Sequence, residues 1–195
     1  MEPFRRFEAV ALPIDRQNVD TDQIIPARFL KKPRASNFGE FLFHDLRTRS
    51  DGSPNTEFVL NRPAYRGAQI VVAARNFACG SSREHAVWAL HDYGIRAAIS
   101  SSFSDIFQSN AVRNGLLPVV LPESVVTRML AALLASPGAS VSVDLESQTV
   151  TDPAGEMHHF EINPFWRHCM LEGLDELAYT LSLEEHIAAY EKRLA

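Results

Sequence analysis

Cys79 and Cys169 are the only cysteines in a chain of 195 residues. A disulfide framework needs more of them, and an iron–sulfur cluster is held by three or four thiolates, so the chain alone supports neither. Basic runs are missing as well. The 19 lysines and arginines are outnumbered by 24 aspartates and glutamates, the net charge is -5, and no basic stretch exceeds Lys31-Lys32. That excludes the electrostatic footprint of a nucleic-acid binder and points to a small ligand. No apolar run approaches the roughly 20 residues that cross a bilayer, and the N-terminus MEPFRRFEAVALPID sets Glu2 and Asp15 around a short apolar piece. Neither a membrane span nor a signal peptide is predicted, and a cytoplasmic protein is expected. The seven histidines include no His-x-x-x-His pair and have no Cys-x-x-Cys nearby, so no metal site is predicted.

What remains is an ordinary globular composition, 46% hydrophobic and 22% charged. A chain of this size buries roughly 70% of its unfolded surface, enough for one domain over residues 1–195. FEAVAL reads as a first strand, followed by the turn-rich connector PIDRQNVDTDQIIP. Residues 31–61 lack periodicity and are broken by Pro33, Gly39 and Asp51-Gly52-Ser53-Pro54. Phe41-Leu42-Phe43 and Phe58-Val59-Leu60 look like anchors for its ends, so the segment reads as a mobile flap.

Periodicity begins at residue 68. AQIVVAA reads as a strand covered on both faces, residues 83–93 as a helix stopped by Gly94, and residues 96–100 as a strand. A helix over 104–114, a strand over 117–121 and a helix over 122–135 follow. Alternating strands and helices imply parallel pairing. SVSVDL, TVT and MHHFEI then alternate with a period of two, as in an antiparallel meander, and residues 164–171 and 182–194 return to helix. The predicted class is a layered α/β fold with a parallel βαβαβ core and an antiparallel meander.

One junction carries more polar chemistry than its fold requires. CGSSREH, residues 79–85, reads as a capping box with Ser81 as N-cap and Glu84 reaching back, which leaves Ser82 and Arg83 unexplained. The turn after a parallel strand lies where ligands gather, and free amides at a helix start attract anions. On spacing alone, an anion site and a plain cap both stay open. A helix end contributes about 0.3–1 kcal/mol to a charge, up to about 2, against 1.36 kcal/mol per pKa unit. It cannot make a serine alkoxide unaided, so a charged neighbour such as Arg83 must help. A serine-hydrolase elbow is disfavoured, because the second glycine of G-x-S-x-G is missing and the closest histidine, His85, sits on the same helix.

NFACGSSREHAVWALHDYG, together with NVDTDQIIPARFL, SSFSDIFQSNAVRNGLLPV and HCMLEGLDELAYTL, resembles the small subunits of 3-isopropylmalate dehydratases, relatives of the aconitase swivel domain, over nearly the whole chain. The resemblance implies a hydro-lyase that interconverts 2- and 3-isopropylmalate through isopropylmaleate in leucine biosynthesis. It implies Ser81 as the base for the carbon-bound proton, Asp22 as an active-site aspartate, and Ser82 and Arg83 as carboxylate ligands. Asp20 stays a structural residue. The Lewis acid it implies, a [4Fe–4S] cluster, belongs to a larger partner subunit, with no cofactor or metal in this chain. Arg34, in the flap, becomes a substrate contact.

Two departures bear on this. Ala78 stands where many members have glycine, and Lys32-Pro33-Arg34-Ala35-Ser36-Asn37-Phe38-Gly39 has its arginine one position early and Asn37 for a glycine. A smaller malate, such as citramalate or dimethylmalate, and a merely solvated Arg34 therefore remain as alternatives. A non-catalytic anion-binding regulatory module is the alternative of another class. Cys79 reads as a small buried hydrophobe.

Overall fold

The computed structural model describes residues 1–194. Seven strands, β1 (Arg6–Ile14), β2 (Ile70–Ala73), β3 (Ala97–Ser100), β4 (Leu117–Val120), β5 (Ser140–Asp144), β6 (Thr149–Thr151) and β7 (Met157–His159), form one curled sheet in the order β4-β3-β2-β1-β5-β6-β7. β1 serves both halves. Its first part pairs antiparallel with β5 from Arg6 to Val10, and its last part pairs parallel with β2 from Ala11 to Ile14. β2, β3 and β4 continue in parallel, while β5, β6 and β7 form the meander. Both halves match the sequence periodicities.

Among the described residues eight helices accompany the sheet: α1 (Thr21–Ile24), α2 (His44–Arg47), α3 (His85–Tyr93), α4 (Asp105–Arg113), α5 (Glu123–Ala135), α6 (Pro164–Glu172), α7 (Glu176–Ser182) and α8 (Glu184–Leu194). Successive strand residues point to opposite faces, so the parallel strands feed two cores. Leu12, Val71, Ala73 and Ala98 meet Ala86, Val87, Ala89 and Leu90 of α3. Ala11, Ile70, Val72 and Ile99 meet Val126, Met129, Leu130 and Leu133 of α5. Strands covered on both sides must be apolar throughout, which explains the unbroken run in β2. Gly94 ends α3 at φ 108°, its amide donating to the carbonyls of His91 and Leu90.

The connector after β1 is more ordered than its turn-rich composition suggests. Asp20 accepts from the amide of Gln23 at 2.8 Å and starts α1. The helix is a single turn, too short for any repeat to show. α7 was not predicted either. Asp175 caps it at 2.7 Å, but Leu177 and Leu181 are exposed, so no buried stripe marks it.

Residues 31–61 are not structureless. The segment holds 3-10 turns at Phe38–Phe41 and Val59–Asn61 besides α2, and it buries Phe38, Leu42, Phe43 and Leu60. Its longest exposed stretches are residues 31–35 and 49–52. The turn at Phe38–Phe41 lies on α3, with Gly39 against its end. A Cβ on Gly39 would stand 2.5 Å from the Tyr93 nitrogen and 2.7 Å from the Asp92 carbonyl carbon, both backbone atoms that cannot swing aside. Gly39→Ala is expected to cost about 2 kcal/mol and lower Tm by about 4–8 °C. Thermal unfolding of the isolated chain checks this, and an unshifted Tm would mean that the segment does not dock on α3 in solution.

Candidate functional site

The chain after β2 turns sharply at the carboxyl edge of the parallel strands. Asn76, Ala78 and Gly80 all take positive φ, at 64°, 58° and 91°. Left-handed backbone strains any residue with a Cβ, and Ala78 bears that strain. Neighbouring segments hold the turn. Ser102 receives the amide of Asn76 on its hydroxyl at 3.0 Å and that of Phe77 on its carbonyl at 3.1 Å. The hydroxyl of Ser104 donates to the Ala78 carbonyl at 3.1 Å, and Asn110 Nδ2 reaches the Ser82 carbonyl at 3.5 Å. From the other side, Asp20 bridges to Cys79, whose carbonyl accepts from the Thr21 amide at 3.0 Å.

The predicted capping box does not form. α3 begins at His85 rather than 83; its N-cap is Glu84, which already has helical angles and no side-chain cap. The turn at Gly80 and the bridge from Asp20 to Cys79 keep residues 81–83 out of the helix, so Ser81 is too far back to cap it. The Glu84 carboxylate is instead bound by Asn114 Nδ2 at 2.8 Å. Among the described residues, the amides of Ser82, Glu84 and His85 find no backbone acceptor, leaving donors free at the start of α3.

Released from capping, Ser81 Oγ lies 2.6 Å from Thr21 Oγ1 and accepts from the Arg83 amide at 3.4 Å. The Arg83 guanidinium pairs through Nη1 with Asp22 Oδ1. That nitrogen is buried, and the pairing lacks the direction of a hydrogen bond, so its donor capacity is not fully used. Arg83 keeps 27% of its side chain exposed and Asp22 keeps 55%, while Ser82 is open to solvent. Asp22, Ser81, Ser82 and Arg83 thus gather at one sheet edge. Burial holds the His85 ring below the usual histidine value, against a hydrogen bond to the Leu30 carbonyl, so Arg83 and the amides are the positive features here at neutral pH.

Arg34 is engaged along α3, near enough to His85 to help burial hold that ring's pKa down. It makes a two-pronged contact with Asp92 at 3.0 and 3.1 Å, and its guanidinium sits 4.9 Å above the Trp88 ring. Asp92 is two turns along α3 from His85. It also accepts from the Phe38 amide at 3.1 Å, so Arg34 pins the segment to α3 and is not a free solvated charge. An open cavity of about 720 Å³ lies further along the carboxyl edge, lined by Arg75, Ser101, Ser102, Pro122, Glu123 and His159; none of the predicted site residues borders it.

Thiolate chemistry finds little support. Cys169 is fully buried in α6 and burial raises its thiol, while Cys79 is half-buried beside the turn rather than sealed as expected. Two separated thiols do not fit an iron–sulfur cluster. Asp152, Glu156 and His158 bring ligand atoms within 4.8 Å of one another, but the hairpin explains them. Asp152 takes the amides of Ala154 and Glu156 at 2.9 Å and contacts His158 at 3.1 Å. Burial pushes its carboxyl up, yet these hydrogen bonds outweigh it and leave it below the usual range. Among the described residues no helix is long and apolar enough to cross a membrane.

Residues 1–124 match the family described as the aconitase C-terminal domain, and residues 127–164 match the one described as LeuD_N. The 3-isopropylmalate dehydratase small subunit of Anaeromyxobacter dehalogenans is 54% identical over 191 residues, 98% of this chain and 98% of that protein. Its counterpart in Methylibium petroleiphilum is 50% identical over 200 residues, 98% and 93% of the two chains. A crystal structure of 3-isopropylmalate dehydratase (leuD) from Methanocaldococcus jannaschii superposes with a TM-score of 0.67 at 24% identity, covering 95% of this chain and 99% of that one, and shows the shared fold.

Proposed function

The chain belongs to the aconitase C-terminal domain family, and we propose on that premise that it is the small subunit of a 3-isopropylmalate dehydratase. In this reading it interconverts 2- and 3-isopropylmalate through isopropylmaleate, within leucine biosynthesis and in the cytoplasm. Its partner is a larger subunit, its ligand a small dicarboxylate, and neither nucleic acid nor membrane is called for. The observation that carries the proposal is an uncapped serine hydroxyl beside an arginine at the carboxyl end of β2.

Ser81 takes the carbon-bound proton onto Oγ. The electron pair of that bond becomes the second bond of the alkene, and hydroxide leaves the adjacent carbon with the pair of its own bond. Re-addition of water runs the same transfers backwards with the carbons exchanged. Arg83, Ser82 and the free amides before α3 hold substrate carboxylate, arginine because its planar fork matches two carboxylate oxygens. Asp22 aims that fork. Arg34 shapes the substrate flap of residues 31–61 through its grip on Asp92. This chain's two cysteines cannot build the [4Fe–4S] cluster, which would sit on the larger subunit and supply the Lewis acid for hydroxide departure.

The test is reconstitution. The purified complex of both subunits should hydrate isopropylmaleate, and this chain alone should not. Failure on isopropylmaleate with turnover of citraconate would move the assignment to a smaller malate.

A further inference from the structure

Three consecutive residues of α1 and its cap divide the work around the turn: Asp20 starts the helix, Asp22 faces Arg83, and Thr21 touches Ser81. We infer that Thr21 is a positioning residue that stabilises the deprotonated Ser81 by donating its hydroxyl proton to Oγ. This rests on the reading of Ser81 as the base.

Thr21 is 2% exposed, and its Oγ1 stands 2.6 Å from Ser81 Oγ. Among the described residues that oxygen has no other partner. Its backbone is tied on both sides, the amide to the Cys79 carbonyl at 3.0 Å and the carbonyl to the Ile25 amide at 2.9 Å. A β-branched side chain on such a backbone has few rotamers, so the hydroxyl is held where it is.

Proton accounting sets the direction of the bond. While Ser81 keeps its proton, either hydroxyl can donate to the other. Once Ser81 loses it to solvent, Oγ only accepts, and Thr21 joins the Arg83 amide as a donor. A hydroxyl bound to an oxyanion is shorter, at about 2.5–2.7 Å, and roughly twice as strong as a neutral pair. The contact therefore favours the charged form over the neutral one, which is what a base requires. Thr21 passes no proton to substrate; the isomerisation returns to Ser81 the state it began with.

The experiment uses the two-subunit complex carrying wild-type, Thr21→Val, Thr21→Ser or Ser81→Ala chains. Thr21→Val should lower kcat about 10- to 100-fold with KM nearly unchanged and assembly intact. The acidic limb of its kcat–pH profile should move to higher pH by about one to two units, because Ser81 is then harder to deprotonate. Thr21→Ser should restore most of the rate. If valine is not tolerated at this buried position, Thr21→Ala removes the same hydroxyl and should show the same displaced limb. A hydroxyl-free variant with wild-type kcat and limb, in a series where Ser81→Ala is inactive, overturns the role of Thr21. An active Ser81→Ala complex instead overturns the reading beneath it.

Discussion

Ser81→Ala, assembled with the larger subunit, is expected to lower kcat by about 10²–10⁴-fold, the usual contribution of a positioned base. Assembly should persist, because Ser81 does not cap α3 and the turn around it is held by Ser102, Ser104 and Asp20. The structural cost falls on Thr21, whose buried hydroxyl loses its partner, and on the Arg83 amide, which loses its acceptor; about 1–3 kcal/mol of stability is at stake. A thermal unfolding curve separates that modest loss from the catalytic one. KM should change little, since Arg83 and the amides before α3 remain. Steady-state rates on complexes purified by size would settle the matter, and undiminished turnover would leave an anion-binding regulatory module as the better account.

Arg83→Lys tests the other half of the site. Lysine keeps the charge and loses the planar fork, so the loss reports geometry. Arg83 faces Asp22 through Nη1 and keeps 27% of its side chain exposed, and in the proposed reading its remaining donors meet the substrate carboxylate. The variant is expected to lower kcat/KM by about 10²-fold, mainly through KM, with Tm within about 2 °C of the parent. Substrate titrations over a wide concentration range check it. Wild-type kinetics in Arg83→Lys would mean that the guanidinium serves only to hold Asp22 and the turn.

Much of this was legible in the residues. The apolar run of β2, the helical stripe of α3 with Gly94 behind it, and the period-two stretches of β5, β6 and β7 each state their structure within a few positions. The GSSR junction was legible as a polar excess, whereas Asp20 and Asp22 were told apart only through the family resemblance. Other features were not. The capping box was a sound local pattern that lost to the bridge between Asp20 and Cys79 and the positive φ of Gly80. Arg34 was read as a substrate contact or a solvated charge, and its pairing with Asp92 was not legible because the two lie 58 positions apart. Thr21, Ser102, Ser104, Asn110 and Asn114 stood inside the recognised motifs with no role assigned, since a hydroxyl or amide in a motif does not announce its partner.

Hydrophobic period and turn residues by themselves determined the parallel core, the meander, and the placing of the serine pair at a strand's carboxyl end, because backbone geometry repeats over short distances. Only the tertiary structure decided what the Ser81 hydroxyl touches. That contact spans 60 positions and exists because the connector after β1 packs on the turn after β2, a pairing that no local pattern encodes.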